Sequence, residues 1–185
     1  VVSGRVANLL DLQGPNYATD AACASSMAAV MDACRMLQSR QVDVMLAGAT
    51  DRTLDPATYA KFSAIGALSA THSTPFDAKA NGFVMGEGAG LLVLETEEHA
   101  KSRGATILGE LAGYGATNDA YHVTQPAEGG AGAVSAMQLA IKDAKARPEN
   151  VRAFSSSFQQ NYCVWMVFVE KSINSCIQER CIKSH

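Results

Sequence analysis

A chain of 185 residues that is 48% apolar and 18% charged is long enough for one core-bearing domain and too apolar to be disordered. Its 15 basic and 18 acidic residues leave a formal charge of -3, which argues against the basic face that a nucleic-acid binder needs. Five cysteines at irregular spacing, with no CxxC pair, argue against a disulfide framework or a zinc site and for reduced thiols in a cytosol-like compartment.

Taken in order, Pro15–Asp20 follows a Gly-Pro turn signal and reads as a short extended segment. It runs straight into Ala21-Ala22-Cys23-Ala24-Ser25-Ser26. Met27, Val30, Met31, Cys34 and Leu37 then recur at spacings of three and four, the mark of one helix face. Val42–Gly48 reads as a buried strand, and Pro56–Ile65 as a short helix with proline in its first turn. Residues 69–81 read as a loop. Gly82–Glu95 reads as a strand that starts glycine-rich, Glu97–Arg103 as a helix closed by Gly104, and Ile107–Tyr114 as another strand. A second loop holds Asn118–Thr124. Ala131–Lys145 is an amphipathic helix with Val134, Met137, Ala140 and Ile141 on one side. Strands alternating with helices predict an α/β architecture with buried central strands.

The composition changes near Pro148. All 15 glycines lie between Gly4 and Gly132, and Pro148 is the last proline. Cys163, Cys176, Cys181 and Trp165 all follow Val151, and these three cysteines receive no role. The tail, free of glycine and proline, is compatible with a helix. Its longest apolar run, Cys163–Val169, is far shorter than the about 20 residues a membrane span needs. No signal-peptide pattern opens the chain, which starts Val-Val-Ser-Gly.

Cys23 is the sharpest chemical candidate. It sits where an extended segment turns into a helix, among small neighbours that leave the turn uncrowded. A thiol there meets unpaired backbone N–H groups and the positive end of the helix dipole, which favour thiolate and can hold an oxyanion. From position alone, a small buried cysteine at a helix start is an equal reading. Cys34 is the control, because it lies on the apolar stripe of that helix. Gly86-x-Gly88-x-Gly90 is not a nucleotide fingerprint, since a strand rather than a helix follows it. Its glycines instead let two backbones or a ligand approach closely, with Phe83 and Met85 free to face an apolar pocket. His72 and His99 read as solvated, and His122 as a loop residue that is either structural or lines a cleft. No metal site is expected.

Three stretches together resemble the β-ketoacyl synthases, the condensing enzymes of fatty-acid and polyketide synthesis. They are Thr19–Ser26, Pro75–Gly90 and Asp119–Pro126, in family order, and the resemblance covers about residues 1–152. It is nearest to the acyl-carrier-protein-dependent elongating synthases of the second type. The resemblance implies a thiolase-like layered α/β/α/β/α fold, here incomplete, a homodimer in the intact protein, and a cytoplasmic location or, in a eukaryote, a plastid. It implies that Cys23 accepts an acyl chain as a thioester, with its backbone N–H as one arm of an oxyanion hole. It places Phe83 close to that cysteine and Thr124 on the phosphopantetheine tunnel, and it makes the strand before Cys23 a dimer contact. No cofactor is bound permanently; phosphopantetheine arrives on acyl carrier protein.

The departures weigh as much. Counting on from Asp143-Ala144 and Pro148, the family's first catalytic histidine falls at Ser157, within Phe154–Gln160, which holds no histidine. Nothing in 158–185 resembles the second histidine or the glycine-rich phenylalanine gate. The expectation is therefore an internal fragment, residues 1–152, followed by an unrelated or aberrant tail at 153–185, and inactive in condensation by itself. A non-catalytic dimerisation or scaffold partner, akin to a chain-length factor, is the alternative, although such subunits typically lack the cysteine. A hydrolase or thiolase with a similar cysteine turn is a third reading, disfavoured by the second and third stretches.

Overall fold

The computed structural model describes residues 2–52, 54–122, 125–151, 153–159 and 162–169. Five helices and five strands are named here in chain order: α1 (Val2–Leu9), α2 (Ser25–Gln38), β1 (Val44–Asp51), α3 (Pro56–Ala64), β2 (Gly88–Glu95), α4 (Glu97–Ser102), β3 (Glu110–Asn118), α5 (Ala131–Asp143), β4 (Ala153–Gln159) and β5 (Tyr162–Val169). They fall into two compact units, one drawn from residues up to Ala47 and from Leu92 onward, the other from Gly48–Leu91.

The first unit is layered. β3, β5 and β4 form a three-stranded sheet in that order, with β5 antiparallel to both neighbours. α2 covers one face. Its stripe of Met27, Val30, Met31 and Cys34 is buried with Val164 and Met166 of β5, and Tyr114 and Ala116 of β3 pack against the same cluster. The predicted stripe is thus the core of the unit. Strand alternation sends Val167, which is fully buried, to the other face.

That other face carries α5, and there the contact is backbone to backbone. A β-carbon on Gly113 would stand 2.4 Å from the Ala144 nitrogen, and one on Gly115 would stand 2.2 Å from the Ala136 oxygen. Ala136 and Ala140 are fully buried, and Thr117 Oγ1 donates to the Gly132 carbonyl at 2.8 Å. The buried side of α5 is therefore an alanine ridge seated on glycines. Val134, expected on the inner side, is 45% exposed because the ridge repeats at 136 and 140, about half a turn away.

Three further expectations change. Residues 15–20 lie in no strand, since no strand pairs with them among the described residues. The strand expected at Ile107–Tyr114 runs instead from Glu110 to Asn118, where it pairs with β5. Residues 153–159 and 162–169 are strands, not helix; runs of serine, valine and aromatic residues suit a pleated surface. α1 was not anticipated, although Val2, Val6 and Leu9 carry a weak helical spacing.

β1 and β2 pair in a two-stranded sheet. Neither is the buried central strand that was expected: Leu91, Leu92 and Val93 are 56%, 44% and 60% exposed. A two-stranded sheet has too little protein over its faces, among the described residues, to bury them. In the second unit, Gly48 meets the glycine-rich start of β2, where a β-carbon would stand 2.1 Å from the Gly90 oxygen. Between these strands the tight approach is required of Gly48 alone: a β-carbon on Gly86, Gly88 or Gly90 would meet nothing within 4 Å, so the close approach expected of that cluster's own glycines is not seen. α3 starts as its sequence requires: Asp55 accepts from the Ala57 and Thr58 N–H groups, with Pro56 in the first turn. No helix among the described residues is long and apolar enough to cross a membrane.

Candidate functional site

Cys23 sits where irregular chain meets a buried helix. Ala22–Ala24 form one 3-10 turn that leads directly into α2. Ala24 is fully buried, whereas Cys23 is exposed. The turn is thus anchored in the core on one side and presents the thiol on the other.

The entry to this turn is strained. Ala22 is left-handed, with φ at 48°, a conformation that costs a residue with a β-carbon roughly 1–2 kcal/mol. Local hydrogen bonds hold it. The Ala22 N–H donates to Asp20 Oδ1 at 2.8 Å, and the Ala21 N–H donates to Ser25 Oγ at 2.9 Å. The Ser25 hydroxyl in turn donates to the Ala22 carbonyl at 2.6 Å. α2 itself has no side-chain cap at Ala24 and no acidic residue in its first turn. No acidic side chain of α2's own first turn therefore opposes the positive end of the helix.

Cys34 behaves as the control should. It is 8% exposed within the α2 stripe. Burial, reinforced by the nearby Asp143 carboxylate, pushes its thiol from 9.0 up to about 11. Such a thiol is a poor nucleophile near neutral pH.

Phe83 belongs to the second unit. Its ring meets Phe62 edge-on, with centroids 5.5 Å apart, and it remains 40% exposed. Its backbone bonds to Ala67 and Ser69 at 3.0 and 2.9 Å. Gly82 precedes it with φ at 138°, where a β-carbon would stand 2.6 Å from the Leu68 carbonyl carbon. Glycine is therefore required to deliver Phe83. Met85 is buried, as an apolar role requires. Thr124 lies outside the described residues. Ser157 lies in β4, in register with Val164.

The histidines divide. His72 and His122 are exposed in loops. His99, expected to be solvated, is instead held: its Nδ1 lies 2.7 Å from Glu95 Oε2. Arg103 grips the same carboxylate with two donors, Nε at 2.9 Å and Nη2. Hydrogen bonds from Arg103 and then His99 pull the Glu95 carboxyl from 4.5 down to about 2. The spacing 95, 99, 103 was the available signal for this cluster.

An open cleft of about 430 Å3 lies beside β3 in the first unit, lined by Met31, Arg35, Tyr114, Leu139, Lys142 and Asp143 among others. Arg35 stacks 5.6 Å above the Tyr114 ring, and Asp143 Oδ2 accepts the Tyr114 N–H at 3.1 Å. Cys23 is not part of that lining.

Comparison with known proteins agrees with the motif reading. Residues 1–100 match the β-ketoacyl synthase N-terminal domain, and residues 108–156 match the C-terminal domain of the same proteins. A mitochondrial 3-oxoacyl-[acyl-carrier-protein] synthase from Arabidopsis thaliana is 45% identical over 158 residues, which cover 82% of this chain and 34% of the relative. A 3-oxoacyl-[acyl-carrier-protein] synthase 2 from Rhizobium meliloti is 44% identical over 151 residues, 78% of this chain and 36% of the relative. Among solved structures, a type II polyketide ketosynthase in complex with its acyl-carrier protein has a TM-score of 0.77 and 36% identity, covering 80% of this chain and 38% of that one. A β-ketoacyl synthase from Burkholderia phymatum has a TM-score of 0.72 and 38% identity, covering 85% and 40%. The chain thus spans little more than a third of these relatives, and its fold is part of the thiolase-like ketosynthase fold. With its cysteine turn, its glycine-rich strand and both domain matches in order, the chain belongs to the β-ketoacyl synthase family.

Proposed function

We propose that this chain is the nucleophile-bearing part of a β-ketoacyl-acyl-carrier-protein synthase and that Cys23 is its acyl acceptor. One observation carries the reading: Cys23 is exposed on a strained turn at the uncapped start of a buried helix, inside the stretch that matches the family's N-terminal domain.

The acyl group arrives as a phosphopantetheine thioester on acyl carrier protein. The Cys23 sulfur attacks the thioester carbonyl, the new carbon–sulfur bond forms, and the pantetheine sulfur leaves and takes up the proton Cys23 gave. The Cys23 N–H and the α2 terminus stabilise the oxyanion between these steps. Malonyl carrier protein then loses carbon dioxide. The resulting carbanion attacks the Cys23 thioester, a carbon–carbon bond forms, and the Cys23 sulfur is released. Phe83 shapes the acyl site and Thr124 lines the pantetheine path in this reading. The partners are acyl carrier protein and a second copy of the intact protein, in the cytoplasm or a plastid.

Decarboxylation needs groups that hold the developing enolate. By the motif count, the family's first histidine corresponds to Ser157, one residue beyond the C-terminal match at 156, and residues 157–185 lie outside that match. The isolated chain is therefore proposed to take up an acyl group but not to condense it. Incubating the 185-residue chain with acyl and malonyl carrier proteins tests this: acyl-enzyme without 3-oxoacyl product is the expected result, and malonyl-dependent product from the isolated chain refutes it.

A further inference from the structure

We propose that Ser25 and Asp20 are positioning residues for Cys23, acting through the backbone of Ala22; this rests on Cys23 being the acyl acceptor. The Ser25 hydroxyl both accepts and donates within this turn. Its Oγ takes the Ala21 N–H at 2.9 Å and gives its proton to the Ala22 carbonyl at 2.6 Å. Asp20 fixes the other end, its Oδ1 accepting the Ala22 N–H at 2.8 Å. Both peptide groups flanking the Ala22 α-carbon are thereby tied down, and those two groups define its φ and ψ.

The consequence is geometric. Ala22 has no intrinsic reason to be left-handed, since its β-carbon opposes that conformation. Without the clamp it relaxes toward an ordinary backbone region. Rotation there swings Cys23, the next residue, while Ala24 stays pinned in the core. The thiol and its N–H then lose their placement over the start of α2. A serine two residues beyond the nucleophile is thus more than an N-terminal helix former. Its hydroxyl is consumed by the turn and touches no substrate.

The test measures the iodoacetamide alkylation rate of Cys23 by peptide mass spectrometry in the full 185-residue chain, which does not depend on acyl loading. Ser25→Ala is expected to slow alkylation about tenfold, and Ser25→Thr, which keeps the hydroxyl, to stay within about twofold of the parent. Ala22→Gly combined with Ser25→Ala is expected to regain most of the lost rate, because glycine reaches positive φ without a clamp. A merely structural loss would not be mended by a more flexible residue. Asp20→Ala against Asp20→Asn supplies the second arm if Ser25→Ala does not fold: the alanine variant slows alkylation and the asparagine variant, which keeps an acceptor, does not. Unchanged alkylation in folded Ser25→Ala, or in Asp20→Ala, overturns the proposal, as does a double variant no faster than Ser25→Ala. If the alkylation series behaves as expected but no acyl group transfers to Cys23, the functional reading fails while the clamp stands.

Discussion

Gly115 of β3 lies directly beneath Ala136 of α5, so close that a β-carbon on the glycine would stand 2.2 Å from the alanine's carbonyl oxygen. No side chain yields there; the backbone of the helix itself must move. Gly115→Ala is therefore expected to destabilise the chain by roughly 1–3 kcal/mol through overpacking. Gly109→Ala, where nothing lies within 4 Å, is the control and is expected to stay within about 0.5 kcal/mol. Urea melts of the two variants against the parent check this.

The Glu95 cluster makes a pH prediction. Arg103 and then His99 hold the Glu95 carboxyl near 2, against 4.5 without them. The folded chain thus prefers the ionised carboxylate more strongly than the unfolded chain does. The stabilisation is fully present above about pH 4.5 and is lost as pH falls toward 2. Glu95→Gln removes it at every pH. The difference in melting temperature between parent and variant is expected to be constant above pH 6 and to shrink between pH 4.5 and 2. A difference that does not change across that interval rejects the assignment.

Cys23 and Cys34 are expected to separate in reactivity. A thiol raised from 9.0 to about 11 carries roughly 100-fold less thiolate near neutral pH. Cys34 is also 8% exposed, so reagent access is restricted. Brief iodoacetamide treatment at neutral pH should label the Cys23 peptide and spare the Cys34 peptide. In urea the two should label alike. Equal labelling in the folded chain contradicts the burial of Cys34.

Much of the first unit was legible because its determinants are local. The α2 stripe from Met27 to Leu37 reads directly as period 3.6, and Asp55 with Pro56 announces the start of α3. What escaped depends on partners distant in sequence. Val134 looks like an inner residue on apolarity alone, yet the glycines at 113 and 115 select the alanine ridge of α5 instead. β2 reads as buried because its sequence is continuously apolar, but burial needs layers on both faces, and the chain spans little more than a third of its relatives. The site divides in the same way. The turn at Cys23 was visible in its small neighbours, whereas the left-handed Ala22 and its clamp were not, because alanine carries no signal for positive φ. His99 was misread for the converse reason: a charged neighbourhood looks solvated until Glu95, 11% exposed, is seen to organise it.

Whether Cys23 takes the acyl chain is read most directly by peptide mass mapping of the 185-residue chain after incubation with hexanoyl-acyl carrier protein. A hexanoyl mass is expected on the peptide containing Cys23, released by hydroxylamine as a thioester and absent in Cys23→Ala. A hexanoyl group retained in Cys23→Ala, or a parent chain with no acyl group on Cys23, would contradict it.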